Sequence, residues 1–158
     1  SSGKTSLLAS LCRHVPARER IVVIEDTAEL ALENPHVVRL QTRNATADGV
    51  GAVSPQDLVR AAMRLRPDRI VMGEVRGGEV VDMLMALTSG HEGSLTTVHA
   101  RSARHALDRL VTLALRDNPQ FSAGELRTLV GSAVDAVVHV DRGPLGSRRV
   151  VEVLRIRE

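Results

Sequence analysis

The sequence contains few aromatic residues, one cysteine and one lysine. Phe121 is the only Phe, Tyr or Trp among the 158 residues, and Cys12 is the only cysteine. Proteins that bind single-stranded nucleic acids usually stack bases on aromatic side chains, so this scarcity argues against that class. A single thiol cannot close a disulfide within the chain, which favours a reducing compartment.

Long hydrophobic runs and blocks of one charge are also missing from the sequence. No apolar run approaches the roughly 20 residues of a membrane-spanning helix. The 21 basic and 19 acidic residues leave a formal net charge of +2, and no basic block indicates a nucleic-acid-binding tail. With 43% hydrophobic and 25% charged residues, the composition excludes a disordered, collagen-like or coiled-coil chain. We therefore expect one globular domain over residues 1–158.

Apolar runs alternate with helical patterns along the chain. The runs at 21–24 and 70–72 are continuous, which is typical of strands covered on both faces of a parallel sheet. Further strands are predicted at 37–40, 95–98, 136–140 and 150–156. Helices are predicted to begin near Lys4 and at Ser54, and to cover 78–89, 103–116 and 122–132. This alternation predicts an α/β fold with a mostly parallel sheet flanked by helices.

The opening residues, Ser1-Ser2-Gly3-Lys4-Thr5-Ser6, fit the second half of the phosphate-loop pattern G-x-x-x-x-G-K-[ST]. Gly3 allows backbone N–H groups to turn towards phosphate oxygens, and the helix after it points its positive end at them. Lys4 is expected to reach the phosphates, and Thr5 to offer a hydroxyl to Mg²⁺. The buried face of this helix is predicted to consist of Leu7, Leu8 and Leu11.

This short motif has a second interpretation, in which an exposed terminus contains Gly-Lys without a function. Lys4 is the only lysine among the 21 basic residues, which favours a role that arginine cannot fill. The apolar helix behind it and the strand at 21–24 also favour a phosphate loop. The residues predicted to bind ATP are Ser2, Gly3, Lys4, Thr5 and Ser6.

An acidic residue follows the predicted strand at 70–72. Glu74 stands where an NTPase needs a carboxylate to hold Mg²⁺ and orient water. In the common form of this NTPase motif, an Asp precedes the Glu. Here the preceding residue is Gly73, so the single carboxylate of Glu74 must hold Mg²⁺ and orient water. The alternative is that Glu74 caps a helix or pairs with Arg76.

Two further acids and two histidines lie near strand ends. Glu25 and Glu29 follow the run at 21–24, and acids at strand ends of an open parallel sheet face the binding crevice. His91 and His99 flank the predicted strand at 95–98. A contact to the γ-phosphate or its water is better motivated for them than a metal pair, because no cysteine or third histidine accompanies them.

Three arginines lie on or just after the helix predicted from Ser54, at Arg60, Arg64 and Arg66. Arg60 and Arg64 are four residues apart and share one helix face. Arginines so placed reach the γ-phosphate of a neighbouring subunit in enzymes that use arginine fingers. The alternative is a solvated charged face.

Taken in order, these motifs resemble those of the ATPases of type II and type IV secretion and pilus assembly. The segments that carry the resemblance are S-G-K-T at 2–5, I-V-V-I-E-D-T-A-E-L at 21–30, M-R-L-R-P-D-R-I-V-M-G-E-V-R-G at 63–77 and T-S-G-H-E-G-S-L-T-T-V-H-A at 88–100. They are similar to that family's Walker A, acidic, Walker B and histidine motifs. The last two segments look most like the CpaF/TadA branch, which powers Tad/Flp pili.

The resemblance implies a RecA-like P-loop ATPase that couples ATP hydrolysis to movement of a membrane platform. It implies a hexamer at the cytoplasmic face of the inner membrane, with inner-membrane secretion or pilus platform proteins as partners and no nucleic acid. For the nucleotide and its ion, it implies phosphate and Mg²⁺ binding at Lys4 and Thr5 and a Mg²⁺-binding acid at Glu74. It implies that Glu25 and Glu29 position water. It also implies γ-phosphate sensing by His91 and His99, and a trans-acting arginine at Arg64. It assigns no role to Arg76 and Arg101.

Two other classes stay open: a RecA-like nucleic-acid translocase, and a scaffold that binds nucleotide without hydrolysing it. The first half of the Walker A motif and the family's N-terminal domain do not occur in the sequence. We therefore expect residues 1–158 to be a C-terminal RecA-like ATPase domain that starts inside the Walker A loop. On its own, this stretch is expected to hydrolyse ATP poorly or not at all.

Overall fold

The structure, a computed structural model, describes residues 3–143 and 146–157 and divides them into two compact units. The sheet unit contains Thr5–Val75 and Ser89–Thr97. The helical unit contains the described residues of Ser1–Lys4, Arg76–Thr88 and Val98–Glu158. Ser2, which the sequence assigns to the nucleotide, lies outside the described residues.

The sheet unit is built on four parallel strands. These are β1 (Ile21–Glu25), β2 (Val37–Gln41), β3 (Arg69–Met72) and β4 (Leu95–Thr96). They pair in the order β2-β1-β3-β4, and every pair is parallel. All five residues of β1 are buried, so apolar and polar residues do not alternate along this strand. The predicted α/β fold with a mostly parallel sheet is confirmed.

Strand β4 is shorter than the predicted strand at 95–98. It pairs with β3 at only two positions, Val71 with Leu95 and Met72 with Thr96. Because β3 ends at Met72, the regular ladder stops at Thr96, and the carbonyl of Thr97 accepts the N–H of Val75 beyond the end of β3.

Helix α1 (Lys4–Cys12) buries one side against the strands of the sheet unit. Leu8 and Cys12 join Ile21 and Val71 in its hydrophobic core. The prediction that Leu11 is buried is wrong, since 40% of its surface is exposed. Leu11 is rotated by about 100° or less from Leu8 and Cys12 around the helix, which is enough to leave the buried stripe. Burial raises the pKa of the Cys12 thiol and keeps it protonated.

Helix α2 (Pro55–Met63) has the start that its sequence predicts. Ser54 is the N-cap, and its Oγ accepts the N–H of Asp57 at 3.1 Å. The Asp57 carboxylate accepts the N–H of Ser54 at 3.0 Å, which completes a capping box. These hydrogen bonds from Ser54 lower the pKa of Asp57. The helix ends at Met63, before the predicted break at Pro67.

The described residues of the helical unit form three α-helices and a β-hairpin. The helices are α3 (Glu79–Thr88), α4 (Ala103–Asp117) and α5 (Ala123–Ala133), and they pack on one another. Strands β5 (Ala136–Arg142) and β6 (Arg148–Arg155) pair antiparallel as a separate two-stranded sheet and pack on α4. None of the helices in the described part of the chain is long and apolar enough to span a membrane.

Candidate functional site

The turn that opens α1 has the geometry that an anion-binding loop requires. Gly3 is buried and has φ of +96°, a left-handed conformation that favours glycine. The nine-residue helix α1 begins at the next residue, so the N–H groups of its first turn have no acceptor within the helix. A left-handed glycine followed by a helix N-terminus presents several N–H donors to one anion. The backbone of Gly3 and Lys4 therefore fits a phosphate group.

The side chain of Lys4 contacts His99 within the helical unit. Its Nζ lies 3.1 Å from Nδ1 and 3.5 Å from Nε2 of the imidazole. An ammonium group only donates, so the lysine is the donor in this contact. The structure thus brings together two predicted site residues that are 95 positions apart in the sequence.

The hydroxyls of the first turn of α1 are suited to a hard cation. Thr5 is half-buried, and Ser6 is exposed. Mg²⁺ in nucleotide sites is usually held by one or two protein oxygens, by phosphate oxygens and by water. Within residues 3–143 and 146–157, no group of three or more His, Cys, Asp or Glu side chains could hold a metal. The hydroxyls of Thr5 and Ser6 therefore suit a Mg²⁺ ion that a nucleotide helps to coordinate.

The carboxylate of Glu25, the last residue of β1, is buried and holds the segment that follows. Its Oε1 accepts the backbone N–H groups of Glu29 at 2.9 Å and Leu30 at 2.8 Å. Its Oε2 lies 3.6 Å from Nη1 of Arg39, which compensates its charge. Glu29 is exposed. Glu25 therefore holds the backbone that follows β1, and both Asp26 and Glu29 in this segment are exposed to solvent.

Glu74 follows β3 on a backbone that is fixed from both sides. The N–H of Gly73 donates to the carbonyl of Ile24 at 2.9 Å, and Oγ1 of Thr97 donates to the carbonyl of Gly73 at 2.6 Å. The N–H of Val75 donates to the carbonyl of Thr97 at 2.9 Å. Glu74, half-buried, thus lies at the carboxyl ends of the parallel strands, where an open α/β sheet places its ligands.

The position of Gly73 explains the missing aspartate. A Cβ built there would lie 3.5 Å from Cγ of Glu25 and 3.6 Å from the carbonyl oxygen of Ile24, which are ordinary contacts. An aspartate therefore has room, but its carboxylate would stand beside that of Glu25. Two like charges in a half-buried place repel each other, and glycine avoids that cost.

The structure also places two other predicted site residues of the sheet unit, His91 and Arg64. The carbonyl of His91 accepts a hydrogen bond from Oγ of Ser94 at 2.7 Å, and that Oγ accepts the N–H of Ile70 at 2.8 Å. Because Ile70 is near the start of β3 and Glu74 follows its end, His91 and Glu74 are at opposite ends of this strand. Arg64 is the exposed C-cap of α2.

Glu79, a buried carboxylate at the start of α3, is not among the residues predicted from the sequence. Its Oε1 accepts the N–H groups of Arg76 at 2.5 Å and Gly77 at 2.9 Å. From the other side, Nη2 of Arg116 donates to the carbonyl of Arg76 at 3.1 Å. A Cβ on Gly77 would lie 2.7 Å from that Nη2 and 2.9 Å from Oδ2 of Asp117, so a larger residue would displace these two groups. The sequence signal for this arrangement is an acid at a helix start, three residues after the Arg76 whose N–H it accepts.

Arg116 is itself held in place by an ion pair. Its Nη2 lies 2.9 Å from Oδ2 of Asp117, which raises the pKa of Arg116 and lowers the pKa of Asp117. Together, Glu79, Arg116 and Asp117 fasten the turn of Arg76 and Gly77, which we call the Glu79 clasp.

We expect Glu79→Ala to open the Glu79 clasp locally. The buried N–H groups of Arg76 and Gly77 lose a charged acceptor, which costs about 2 kcal/mol, or about thirtyfold in an opening equilibrium. Hydrogen exchange measured by mass spectrometry on the full-length protein should show these amides exchanging about thirtyfold faster. Asp108→Ala, at an exposed acid of α4, is the control and should leave their rate unchanged. Unchanged exchange in Glu79→Ala would contradict this interpretation.

A parallel α/β sheet with acids at its strand ends and a Gly-Lys-Thr turn opening a helix define the P-loop class of α/β proteins. Residues 1–142 match the family model described as Type II/IV secretion system protein, and the chain belongs to this family. The family predicted from the motifs is thereby confirmed.

Curated relatives of the chain carry the names of conjugation and secretion proteins. It is 45% identical over 157 residues to a putative conjugal transfer protein of Mycobacterium tuberculosis, covering 99% of this chain and 44% of that protein. It is also 45% identical over 158 residues to the type IV secretion system protein PtlH of Bordetella pertussis, covering 96% of this chain and 46% of the relative. The chain therefore spans less than half the length of these relatives.

Solved structures support the same family. The VirB11 ATPase of the Brucella suis type IV secretion system, in complex with sulphate, aligns with a TM-score of 0.87 at 34% identity, over 98% of this chain and 45% of that one. The Legionella pneumophila ATPase DotB aligns with a TM-score of 0.72 over 100% of this chain and 43% of its own, and at 24% identity this shows the fold alone. The Tad/Flp branch is not singled out by these similarities and stays a prediction.

Proposed function

We propose that this chain belongs to an ATP-hydrolysing motor of a type IV secretion, conjugation or pilus-assembly system. The observation that carries the proposal is the turn at the start of α1, with Gly3 at φ +96° and Nζ of Lys4 3.1 Å from His99. Membership of the secretion family supports it. Because the chain spans less than half of its curated relatives, the proposal concerns the full-length protein.

In this proposal, the phosphates of ATP bind at the opening turn of α1. The N–H groups of Gly3 and of the first helical turn, where Ser6 also lies, donate to phosphate oxygens, and Lys4 neutralises their charge. An ammonium group has three N–H donors, so Lys4 can donate to His99 and to phosphate oxygens at the same time. His99 then keeps the lysine directed towards the phosphates. We also propose that Ser2 contacts the nucleotide.

The acids of the sheet unit have separate roles in this proposal. Mg²⁺, when bound, neutralises phosphate charge in the transition state. Thr5 offers its hydroxyl to that ion, and the Glu74 carboxylate holds it directly or through water. Glu29 orients the attacking water, while Glu25 keeps the backbone of Glu29 in place through its hydrogen bond.

We further propose that several copies assemble into a ring, in which Arg64 reaches the γ-phosphate held by the neighbouring copy. Its exposure at the end of α2 supports this role. The role of His91 as a γ-phosphate contact stays a prediction, and its carbonyl lies near the start of β3. The proposed partner is a membrane platform on the cytoplasmic side of the inner membrane.

The narrower proposal is that the machine is a Tad/Flp pilus. It rests on the segments R-P-D-R-I-V-M-G-E-V-R-G at 66–77 and G-H-E-G-S-L-T-T-V-H-A at 90–100. Deletion of the gene should abolish surface pili if this proposal is correct. Normal piliation together with a loss of conjugation or protein export would contradict it and leave the motor proposal intact.

Phosphate release by the purified full-length protein tests the motor proposal. We expect hydrolysis of ATP that requires Mg²⁺, stops with a chelator and changes less than twofold when DNA is added. Stimulation by DNA that falls steeply with salt would instead indicate a nucleic-acid translocase. Nucleotide binding without phosphate release would indicate a scaffold.

A further inference from the structure

The side chain of Arg148, the first residue of β6, packs against Gly3. A Cβ built on Gly3 would lie 2.7 Å from Cδ of Arg148, 3.4 Å from its Cγ and 3.5 Å from its Cβ. Both residues belong to the helical unit. Glycine is therefore required at position 3 for two reasons, its left-handed backbone and the space taken by the arginine stem.

This packing brings a guanidinium group to the opening turn of α1. The guanidinium is bonded to Cδ through Nε, so its five N–H donors lie within about 4 Å of Cδ. The Cδ itself is in contact range of Gly3, whose backbone opens the turn. A phosphate held by this turn is consequently within reach of Arg148.

We propose that Arg148 binds a phosphate of the nucleotide at this turn, as a second cationic side chain beside Lys4. The inference rests on the proposed function, because it needs a nucleotide at Gly3 and Lys4. The chemistry of the two cations differs: Lys4 supplies a point charge, while the planar fork of Arg148 donates two parallel hydrogen bonds to one phosphate.

The pairing of the hairpin supplies a matched control for Arg148. In the β5–β6 ladder, Arg148 stands directly opposite Arg142. The next residue, Arg149, stands opposite Asp141 and points to the other face of the hairpin. Arg149 therefore has the same charge as Arg148 and nearly the same position. Unlike Arg148, it does not face the turn of Gly3 and Lys4.

The test uses Arg148→Gln in the full-length protein and measures the Kd for ATP and for ADP by isothermal titration calorimetry. Glutamine keeps carbon atoms at Cβ, Cγ and Cδ, which are the atoms that pack on Gly3, and removes only the charged fork. We expect both Kd values to rise about tenfold or more, as loss of a charge-assisted hydrogen bond implies. Arg149→Gln is the matched control and should stay within threefold of the wild type.

Lys4→Ala separates a failure of this inference from a failure of the proposed function. An Arg148→Gln shift of less than threefold, with a larger shift in Lys4→Ala, overturns the role of Arg148 and leaves the phosphate site standing. Shifts of less than threefold in both variants overturn the phosphate site and, with it, this inference. Equal shifts in Arg148→Gln and Arg149→Gln show a general charge effect and also overturn the inference.

A second variant covers the case in which Arg148→Gln does not fold. Arg148→Lys keeps the charge and most of the stem but loses the planar fork. A weaker affinity for ATP with an unchanged melting temperature of the nucleotide-free protein supports the inference, and an unchanged affinity overturns it.

Discussion

Lys4→Ala is expected to lower ATP turnover by the full-length protein at least a hundredfold. A preorganised donor that stabilises charge in the transition state contributes about a hundredfold to a thousandfold in rate. Lys4 is held by His99 at 3.1 Å, so its ammonium is positioned before the reaction begins. Steady-state phosphate release at saturating Mg²⁺ and ATP measures the effect.

Two further substitutions show whether charge or shape matters at position 4. Lys4→Arg keeps the charge but replaces a compact ammonium by a bulky planar group, and we expect it to restore little activity. Arg13→Ala, at an exposed position just after α1, should have normal turnover. Turnover within threefold of the wild type in Lys4→Ala would contradict the assignment of the phosphate loop.

Glu74→Gln is expected to reduce turnover at least about a hundredfold while the Kd for ATP stays within threefold. The amide has nearly the same shape as the carboxylate but lacks the charge that holds Mg²⁺ and orients water. The backbone around Glu74 is fixed by the hydrogen bonds of Gly73 and Val75, so the substitution should change the chemistry and not the local fold. Single-turnover hydrolysis and nucleotide binding, measured on the same sample, separate the two effects.

Glu33→Gln is the matched control for this experiment, because Glu33 is an exposed acid in the segment after β1. It should leave both turnover and binding unchanged. More than a third of wild-type turnover in Glu74→Gln would exclude Glu74 as the main acid. A parallel loss of ATP binding and turnover would assign it to binding instead of hydrolysis.

Local patterns predicted most of the secondary structure. The continuous apolar runs of β1 and β3 reflect burial on both faces, and such burial leaves a direct signature in the sequence. The capping serines Ser54 and Ser122 mark their helix starts because a capping box uses only residues three positions apart. The position of Glu74 was predicted in the same way, because it directly follows the apolar run of β3 and Gly73 in the sequence.

Features that depend on distant partners could not be predicted. The patterns at 136–140 and 150–156 indicate strands, but nothing in them shows that they pair with each other and not with the parallel sheet. The contact of Lys4 with His99 and the packing of Arg148 on Gly3 arise only when the chain folds. Leu11 was misplaced because helical spacing alone does not show which side of α1 the sheet covers.

The complete burial of Cys12 has a practical consequence for spectroscopic work. A protonated thiol inside the core reacts slowly with maleimide dyes, because these reagents attack the thiolate at accessible sites. A cysteine introduced on the surface of this chain, at Ser10 for example, can therefore carry a fluorophore without prior removal of Cys12. Energy transfer between labelled copies would then test the proposed ring assembly in real time.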